Sequence, residues 1–227
     1  MSRGYWDVGI YSIPEASRLS GVSQGRLRRW LTGYTWRKAD ETSSTAALWR
    51  RQLPEIEGSL ALGFLDLIEA RLIDAFREAG VPWSEIKSAG TKACALLGVD
   101  HPFATHRFAT DGRRIFVEIL STQGEAKLLE LSKSQYAFDK IVRPSFIRNI
   151  DFEGSAVRWW WMGRKHSVVI DPTRQFGAPI DASSGVPTRV LYDSYIAEES
   201  VTRVADLYEV EARTVRDAID FEERLAA

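Results

Sequence analysis

Residues 11–32, YSIPEASRLSGVSQGRLRRWLT, limit the fold more strongly than any other stretch, because they predict two short helices joined by a tight turn. Ser12 can cap the first helix, Pro14 fits its first turn without an amide partner, and Glu15 is placed to close a capping box. Gly21 then supplies a residue at which the chain can turn. Local chemistry therefore specifies the start and the end of the first helix.

The second of these helices, expected from about Ser23 to Leu31, places apolar residues on one side and polar residues on the other. Its outward side chains are of the types that reach base edges and phosphates in DNA. We therefore predict a helix-turn-helix whose recognition helix contacts DNA through Ser23, Gln24, Arg26, Arg28 and Arg29. The alternative is an ordinary helical hairpin with a solvated basic face.

The stretch that follows, residues 34–49, combines a tyrosine, two tryptophans, a basic pair and a Ser/Thr-rich centre. This composition predicts a two-stranded wing, and the alternative is a disordered polar loop. In a wing, the residues expected to approach phosphates are Arg37, Lys38, Arg50 and Arg51. From Gln24 to Arg51 there are seven basic and two acidic residues, whereas the whole chain has 30 basic and 31 acidic ones. Positive charge is thus concentrated where DNA would bind.

Composition narrows the class of protein. The 227 residues are 44% hydrophobic, contain no run of about 18 uncharged apolar residues, and begin without the apolar segment of a secretory signal. We expect a globular cytoplasmic protein without a membrane partner. The one cysteine excludes an internal disulfide, and the three histidines lack metal-ligand spacing. Because serine-hydrolase and phosphate-loop motifs are also absent, we predict no catalytic residues, no metal and no cofactor.

The predicted fold class is α+β in three parts. Residues 1–100 would form the winged helix-turn-helix with two supporting helices near residues 60–80 and 84–97. Residues 101–166 would form a small α+β middle domain. Its expected elements are a hairpin at 106–119 around Asp111-Gly112, a helix at 132–142 and a strand pair at 149–152 and 156–162.

Residues 167–227 are predicted to form a helical C-terminal domain. A short strand at 168–172 and turn-rich segments at 176–180 and 185–188 precede two helices within residues 201–221, which have helix-turn-helix-like spacing. From Glu198 to Arg224, however, nine acidic residues outnumber four basic ones. Because a duplex would repel this surface, a protein partner or self-association is the better expectation.

Trp159, Trp160 and Trp161 are consecutive, so a strand must direct at least one ring to the opposite face. In one interpretation two rings lie in the core and the third is partly exposed. In the other, the exposed ring forms a protein contact surface with the neighbouring Arg158, Arg164 and Lys165, because aromatic residues and arginine are enriched at interface centres.

Two parts of the chain resemble known families. Residues 11–32 and the expected wing resemble the winged helix-turn-helix of MerR-type regulators. Residues 168–225 resemble the domain of unknown function number four hundred and thirty-three, whose members are similar to VapB-type antitoxins. The shared pattern is Ile170 to Pro172, Phe176 to Ile180, Pro187 to Arg189, and the helices from Val201 to Phe221.

This second resemblance implies an antitoxin that neutralises a PIN-domain-like ribonuclease and represses its own operon. The expected partners are therefore double-stranded operator DNA and the toxin. A second copy of the chain is also expected, because one short recognition helix reads only a few base pairs. An arginine could plug the acidic site of such a nuclease, and the expected toxin-binding residues are Arg158, Trp160, Arg164 and Arg174. The alternative function is a stand-alone MerR-like regulator that senses a small ligand.

Overall fold

The computed structural model describes residues 7–38, 41–109 and 147–226, with the side chains of residues 36–38 and 41–43 outside the description. The chain forms two compact units. The N-terminal unit comprises Tyr11–Arg148 and Phe152–Ala156, and the C-terminal unit comprises Met1–Ile10, Asn149–Asp151 and Val157–Ala227. The three-part division expected from the sequence stays a prediction, because most of its middle part lies outside the described residues.

The N-terminal unit begins with the two predicted helices, α1 (Ile13–Ser20) and α2 (Gln24–Thr32). Ser12 and Glu15 form the expected capping box: the Glu15 amide donates to Ser12 Oγ at 3.4 Å, and the Ser12 amide donates to Glu15 Oε2 at 2.8 Å. Gly21 ends α1 in the left-handed region, with φ 75°. The predicted helix pair is therefore confirmed, including its cap and its turn.

A two-stranded antiparallel hairpin follows α2 directly and confirms the predicted strand pair. It consists of β2 (Tyr34–Lys38) and β3 (Glu41–Thr45), paired from Tyr34 with Thr45 to Lys38 with Glu41. Gly33 joins α2 to the hairpin, where a Cβ atom would lie 2.2 Å from the carbonyl oxygen of Thr45. Any other residue would collide with that backbone, so Gly33 fixes the approach of the hairpin to the end of α2.

The supporting helices predicted from the apolar spacing are also present. They are α3 (Phe64–Glu78) and α4 (Trp83–Leu97). Two short strands, β1 (Tyr11–Ser12) and β4 (Ala61–Leu62), pair antiparallel and join the start of α1 to the start of α3.

Asp66 of α3 is fully buried, and its carboxylate gathers donors from several segments. Nε1 of Trp49 donates to Oδ1 at 2.7 Å, the Gly63 amide donates to Oδ2 at 2.9 Å, and Nε2 of His101 lies 2.8 Å from Oδ1. A buried carboxylate is tolerated only when it is paired in this way. Asp66 therefore holds the segment that follows the hairpin against α3.

Glu69, one turn further along α3, is buried as well. Burial raises the pKa of Glu69 well above its ordinary value of 4.5, although the amides of Phe103 and Ala104, which donate at 3.4 and 3.0 Å, act in the opposite direction. Two acidic side chains on the same side of α3 thus organise the core. Neither was recognised from the sequence.

The predicted hairpin at 106–119 is wrong at its start, because residues 106–109 are helical. Thr105 caps this helix: its hydroxyl accepts from the Phe108 amide at 3.1 Å, and the Ala109 amide donates to its carbonyl at 3.0 Å. The cap outweighs the strand preference of the following residues. The Asp111-Gly112 turn and the helix expected at 132–142 lie outside the described residues.

The C-terminal unit contains a four-stranded sheet in the order β5-β6-β7-β8. Its strands are β5 (Ile150–Glu153), β6 (Ser155–Trp159), β7 (Val168–Ile170) and β8 (Pro179–Asp181). The tip of the β5–β6 hairpin belongs to the N-terminal unit. The strand pair around Gly154 and the strand at 168–170 are confirmed. β6 ends at Trp159 rather than at residue 162, and residues 176–180, expected as a turn, include most of β8.

Three helices complete this unit: α5 (Thr188–Glu198), α6 (Val201–Leu207) and α7 (Ala212–Ala226). They enclose a core that includes Leu191, Val204 and Val215. The last two helices were predicted, but α5 was missed. Only Thr188 and Leu191 of α5 are buried, so its sequence carries no continuous apolar stripe.

Within the described ranges, no helix is both long enough and apolar enough to cross a membrane.

Candidate nucleic-acid interface

Helix α2, predicted to be the recognition helix, has buried residues on one side and exposed residues on the other. Leu27, Trp30 and Leu31 are buried, and they fix the rotation of α2 against the rest of the N-terminal unit. The predicted DNA-contacting residues that lie exposed on the other side are Ser23, Gln24, Arg28 and Arg29. Gly25 lies on this open side too, because a Cβ atom built there meets nothing within 4 Å.

Arg26 differs from its neighbours on α2. Its Nη1 atom lies 2.7 Å from Oδ1 of Asp74 on α3, and the Asp74 side chain is only 3% exposed. The Arg26 side chain remains 43% exposed, so this ion pair joins a half-exposed cation to a buried anion. Arg26 therefore links α2 to α3 through this ion pair.

Arg28 and Arg29 have no carboxylate partner among the residues that the structure describes. Both are exposed, and both lie on a helix that opens with no acidic residue in its first turn. An arginine that is not neutralised internally can give its full charge and its five donors to an external anion. These two residues are the strongest part of the predicted DNA-binding set.

The remaining basic residues predicted to contact phosphates differ in how exposed they are. Arg37 and Lys38 lie on β2, and their side chains are outside the described set. The side chain of Arg50 is 83% exposed and lies 4.0 Å from Asp100. That of Arg51 is 26% exposed and lies 3.8 Å from Glu55. Arg50 is thus open to a phosphate, whereas Arg51 is largely covered.

A pocket of about 410 Å³ lies beside α2 and contains residues that the sequence did not single out. Trp30 stacks on Trp83 with ring centroids 5.6 Å apart and an interplanar angle of 17°. The guanidinium carbon of Arg77 lies 5.7 Å from the centroid of the Trp83 ring. Among the described residues, the lining is Arg26, Arg29, Trp30, Tyr34, Arg77 and Trp83. Arg77 was missed because it follows α2 by more than 40 residues, so no local spacing relates the two.

In the C-terminal unit, three of the four predicted toxin-binding residues meet at one carboxylate. Arg164 Nη2 lies 2.6 Å from Asp151 Oδ1, Trp160 Nε1 donates to Asp151 Oδ2 at 3.0 Å, and Arg158 Nη1 lies 4.0 Å from Oδ2. Burial raises the pKa of Asp151, but the hydrogen bonds and charges of these three residues outweigh it and lower that pKa overall. The sequence named these partners but not Asp151.

Arg174 lies apart from this cluster. Its Nη1 donates to the carbonyl oxygen of Ala182 at 2.7 Å, and its guanidinium packs on Gly185. Of the three consecutive tryptophans, Trp159 is buried, Trp161 packs edge-on against Phe221 at 5.1 Å, and Trp160 is half-buried. Trp160 and Trp161 are thus both partly buried, so the structure shows one core ring rather than the two expected, and the protein contact surface stays a prediction.

A second cavity, of about 400 Å³, lies between the start of β7 and the loop before α7. It contains His166, whose Nδ1 is 2.9 Å from Asp217 Oδ1. Across the part of the chain that the structure describes, no group of three His, Cys, Asp or Glu residues is placed to hold a metal ion.

Comparison with known proteins shows similarity to a family model, to a curated protein and to a solved structure. A family model described as "Putative DNA-binding HTH domain" matches residues 9–89, which include α1, α2 and the hairpin. Over 228 residues the chain is 31% identical to the Mycobacterium tuberculosis protein "Putative antitoxin VapB45", covering 95% of this chain and 94% of the relative. The crystal structure of Rv2018 from M. tuberculosis is similar, with a TM-score of 0.72, 26% identity and coverage of 95% and 99%.

Proposed function

Because this chain belongs to the family of the protein named "Putative antitoxin VapB45", we propose that it is the DNA-binding antitoxin of a type II toxin–antitoxin pair. In this proposal the N-terminal unit binds operator DNA and represses the operon, while the C-terminal unit holds a PIN-domain-like ribonuclease. Two copies of the chain would occupy a pseudo-palindromic operator, because one short helix reads too few base pairs for useful specificity.

The observation that carries the DNA-binding part is the outward face of α2. Arg28 and Arg29 stand exposed on the second helix of a helix-turn-helix, without a described carboxylate to neutralise them. Gln24 lies near the N-terminal end of the same helix, the end that contacts base edges in this motif. Gln24 is suited to a base edge, and the two arginines to guanine or to phosphates.

An arginine substitution on α2 tests this part. Arg28→Ala is expected to weaken binding to the upstream intergenic duplex by about 10-fold, the value for one lost base or phosphate contact. Fluorescence anisotropy over a range of salt concentrations measures the affinity. Arg203→Ala is the matched control, since Arg203 is an exposed arginine of α6 whose nearest carboxylate is 3.6 Å away. Equal affinity of Arg28→Ala and the control at every salt concentration would contradict the assignment.

The three arginines predicted to bind the toxin differ in how closely they contact other groups of this chain. Arg164 lies 2.6 Å from Asp151, and Arg174 donates to a carbonyl oxygen at 2.7 Å. Arg158 lies 3.7 Å from Asp171 and 4.0 Å from Asp151, and its side chain is 44% exposed. A nuclease site rich in carboxylates competes most easily for the loosest guanidinium. We therefore propose Arg158 as the plug, with Trp160 and Arg164 beside it.

Co-expression with the product of the adjacent reading frame tests the toxin-binding part. The wild type is expected to co-purify with that product and to suppress its ribonuclease activity, whereas Arg158→Ala should suppress it poorly. Asp151 keeps Arg164 in this variant, so the fold is expected to survive. Arg189→Ala, which removes an exposed arginine paired within α5, is the control. Full suppression by Arg158→Ala would contradict the plug, and the absence of any complex would favour a stand-alone regulator.

A further inference from the structure

The surfaces of α2 and α3 that face each other carry two successive pairs of charged residues. Arg26 and Arg29 are three residues apart on α2, and Asp74 and Arg77 are three residues apart on α3. Residues with this spacing lie on the same side of a helix. The first pair, Arg26 with Asp74, is an ion pair of 2.7 Å. The second pair, Arg29 with Arg77, brings together two cations.

Both members of this second pair line the 410 Å³ pocket, whose described lining contains no acidic side chain. Neither Arg29 nor Arg77 forms an ion pair with any residue of the described ranges. Two guanidinium groups that share a pocket repel each other unless an anion lies between them. Because Asp74 already neutralises Arg26, the unbalanced charge of the pocket belongs to Arg29 and Arg77.

The apolar part of the pocket lining includes two stacked tryptophan rings. The stacked rings of Trp30 and Trp83 join the end of α2 to the start of α4, and Trp30 is only 6% exposed. The Arg77 guanidinium lies over the Trp83 ring, a contact that favours a cation and restricts its motion. A guanidinium held in one position loses less conformational entropy when it binds a ligand. The pocket is thus suited to a phosphate group, which arginine binds through paired hydrogen bonds.

We propose that this pocket holds a backbone phosphate of the bound DNA, with Arg29 and Arg77 as its ligands. The inference rests on the proposed DNA-binding function and extends the contact surface from α2 to the end of α3. Arg77 would fix the position of the duplex without reading its sequence, because phosphate contacts carry no base information. Arg26, which the sequence placed among the DNA contacts, would instead hold the two helices together.

Substitution of Arg77 gives a distinctive result. Arg77→Ala is expected to lower the affinity for the upstream duplex and for an unrelated duplex by the same factor, about 5- to 10-fold, and to reduce the salt slope by about one. Arg77→Lys, which keeps the charge but loses the paired geometry, should recover part of the affinity. Arg216→Ala, which removes an exposed arginine from α7 of the C-terminal unit, should leave both affinities unchanged.

A duplex with one neutral methylphosphonate at each backbone position in turn locates the contact. One position should weaken the wild type by at least as much as Arg77→Ala does, and should cost Arg77→Ala less than it costs the wild type, because only the Arg29 contact is left to lose. Such non-additivity at a single phosphate identifies the group that Arg77 binds. Additive losses at every position would overturn the proposal.

The two proposals fail in different ways. If Arg28→Ala loses affinity while Arg77→Ala binds both duplexes as the wild type does, the pocket assignment is overturned and DNA binding by α2 stands. If the wild type binds no duplex at low salt, both fail. A titration with adenosine monophosphate tests whether the pocket binds a small phosphorylated ligand instead of DNA. Binding of this nucleotide to the wild type but not to Arg77→Ala, with unchanged DNA affinity, would overturn the DNA contact in favour of a small phosphorylated ligand.

Discussion

The two units contain helix pairs of similar spacing but opposite charge. In the N-terminal unit α1 and α2 lead into a stretch with seven basic and two acidic residues, whereas α6 and α7 lie in a stretch with four basic and nine acidic ones. Arg28 and Arg29 on α2 are without a described carboxylate partner, while Arg224 on α7 is paired with Asp220 at 2.7 Å. Helical spacing is therefore similar in both pairs, and it is the unneutralised positive charge that suits α1 and α2 to the proposed DNA binding.

Buried carboxylates provide a second contrast between the units. Asp66 is completely buried and is shared by Trp49, Gly63 and His101 in the N-terminal unit. Asp217 of α7 is 7% exposed and is bound by His166 and by the Ser167 amide at 2.8 Å. Both carboxylates join distant segments, but Asp66 has more donors and less access to water.

The largest expected effect follows from this contrast. Asp66→Asn replaces one acceptor oxygen by a donor that faces other donors, so it is expected to lower the free energy of unfolding of the N-terminal unit by about 3 to 5 kcal/mol. Asp217→Asn should cost the C-terminal unit less. Urea unfolding followed by hydrogen exchange in peptides from each unit measures both losses.

Asp100→Asn serves as the control, because Asp100 is exposed and lies 4.0 Å from Arg50. A surface pair of this kind contributes less than about 1 kcal/mol. If Asp66→Asn were as mild as Asp100→Asn, the carboxylate would not hold the segment after the hairpin.

The next effect concerns charge on the two helix pairs. Reversal at both Arg28 and Arg29 to glutamate is expected to reduce DNA affinity by about 100-fold or more, since two favourable contacts become repulsions. The same reversal at Arg203 and Arg216 on α6 and α7 should have little effect. Anisotropy titrations of both variants at one salt concentration compare them directly. Similar losses would show that overall charge, rather than the face of α2, sets the affinity.

Local sequence patterns made α1 and α2 predictable. Contacts between residues that are distant in the sequence produce no such pattern and could not be predicted. The cap at Ser12, the turn at Gly21 and the apolar side of α2 all lie within one segment of 22 residues. By contrast, the partner of Arg26 lies 48 residues away, at Asp74. Charge type predicted which residues could bind DNA. It could not predict which of them are neutralised within the fold.

The errors elsewhere in the chain have different causes. Helix α5 was missed because it buries only two residues and so has no periodic apolar stripe. Residues 106–109 were predicted as strand because their side chains favour strands, while the cap from Thr105 makes them helical. Asp151 was overlooked because its three partners come from β6 and the loop after it. Of these three cases, only the Asp151 cluster depends on a partner outside the local segment, whereas the Thr105 cap is a local signal that the strand preference concealed.

A smaller effect is expected at Arg26. Arg26→Ala leaves the buried carboxylate of Asp74 without its ion-pair partner, which is expected to destabilise the N-terminal unit by about 2 kcal/mol. At temperatures well below the unfolding transition, its DNA affinity should fall less than that of Arg28→Ala. Thermal unfolding and anisotropy separate the two properties. A stable variant with greatly weakened DNA binding would make Arg26 a DNA contact instead.

The two units should also respond differently to pH. The raised pKa of Glu69 means that the folded N-terminal unit prefers the neutral acid, so its stability falls as the pH rises above the ordinary value of 4.5. In the C-terminal unit, burial raises the pKa of Asp181, but hydrogen bonds from Ser184 and Thr214 outweigh it and hold that pKa below 3.8. Stability from Asp181 is therefore present above 3.8 and lost as the pH falls through the lowered value.

Glu69→Gln should remove the loss of stability of the N-terminal unit as the pH rises. Asp181→Asn should remove the loss of stability of the C-terminal unit as the pH falls. Hydrogen exchange in peptides from each unit, between about pH 3 and pH 6, measures both with correction for the intrinsic exchange rate. A pH response that persists in either variant would assign it to another group.

Hydrogen exchange of the full chain with and without the upstream duplex tests the difference between the two helix pairs most directly. Slower exchange on DNA binding is expected at residues 24–32 and at the end of α3, with no change at residues 201–226. Protection of residues 201–226 by the duplex, with residues 24–32 unchanged, would contradict the assignment of DNA binding to α2.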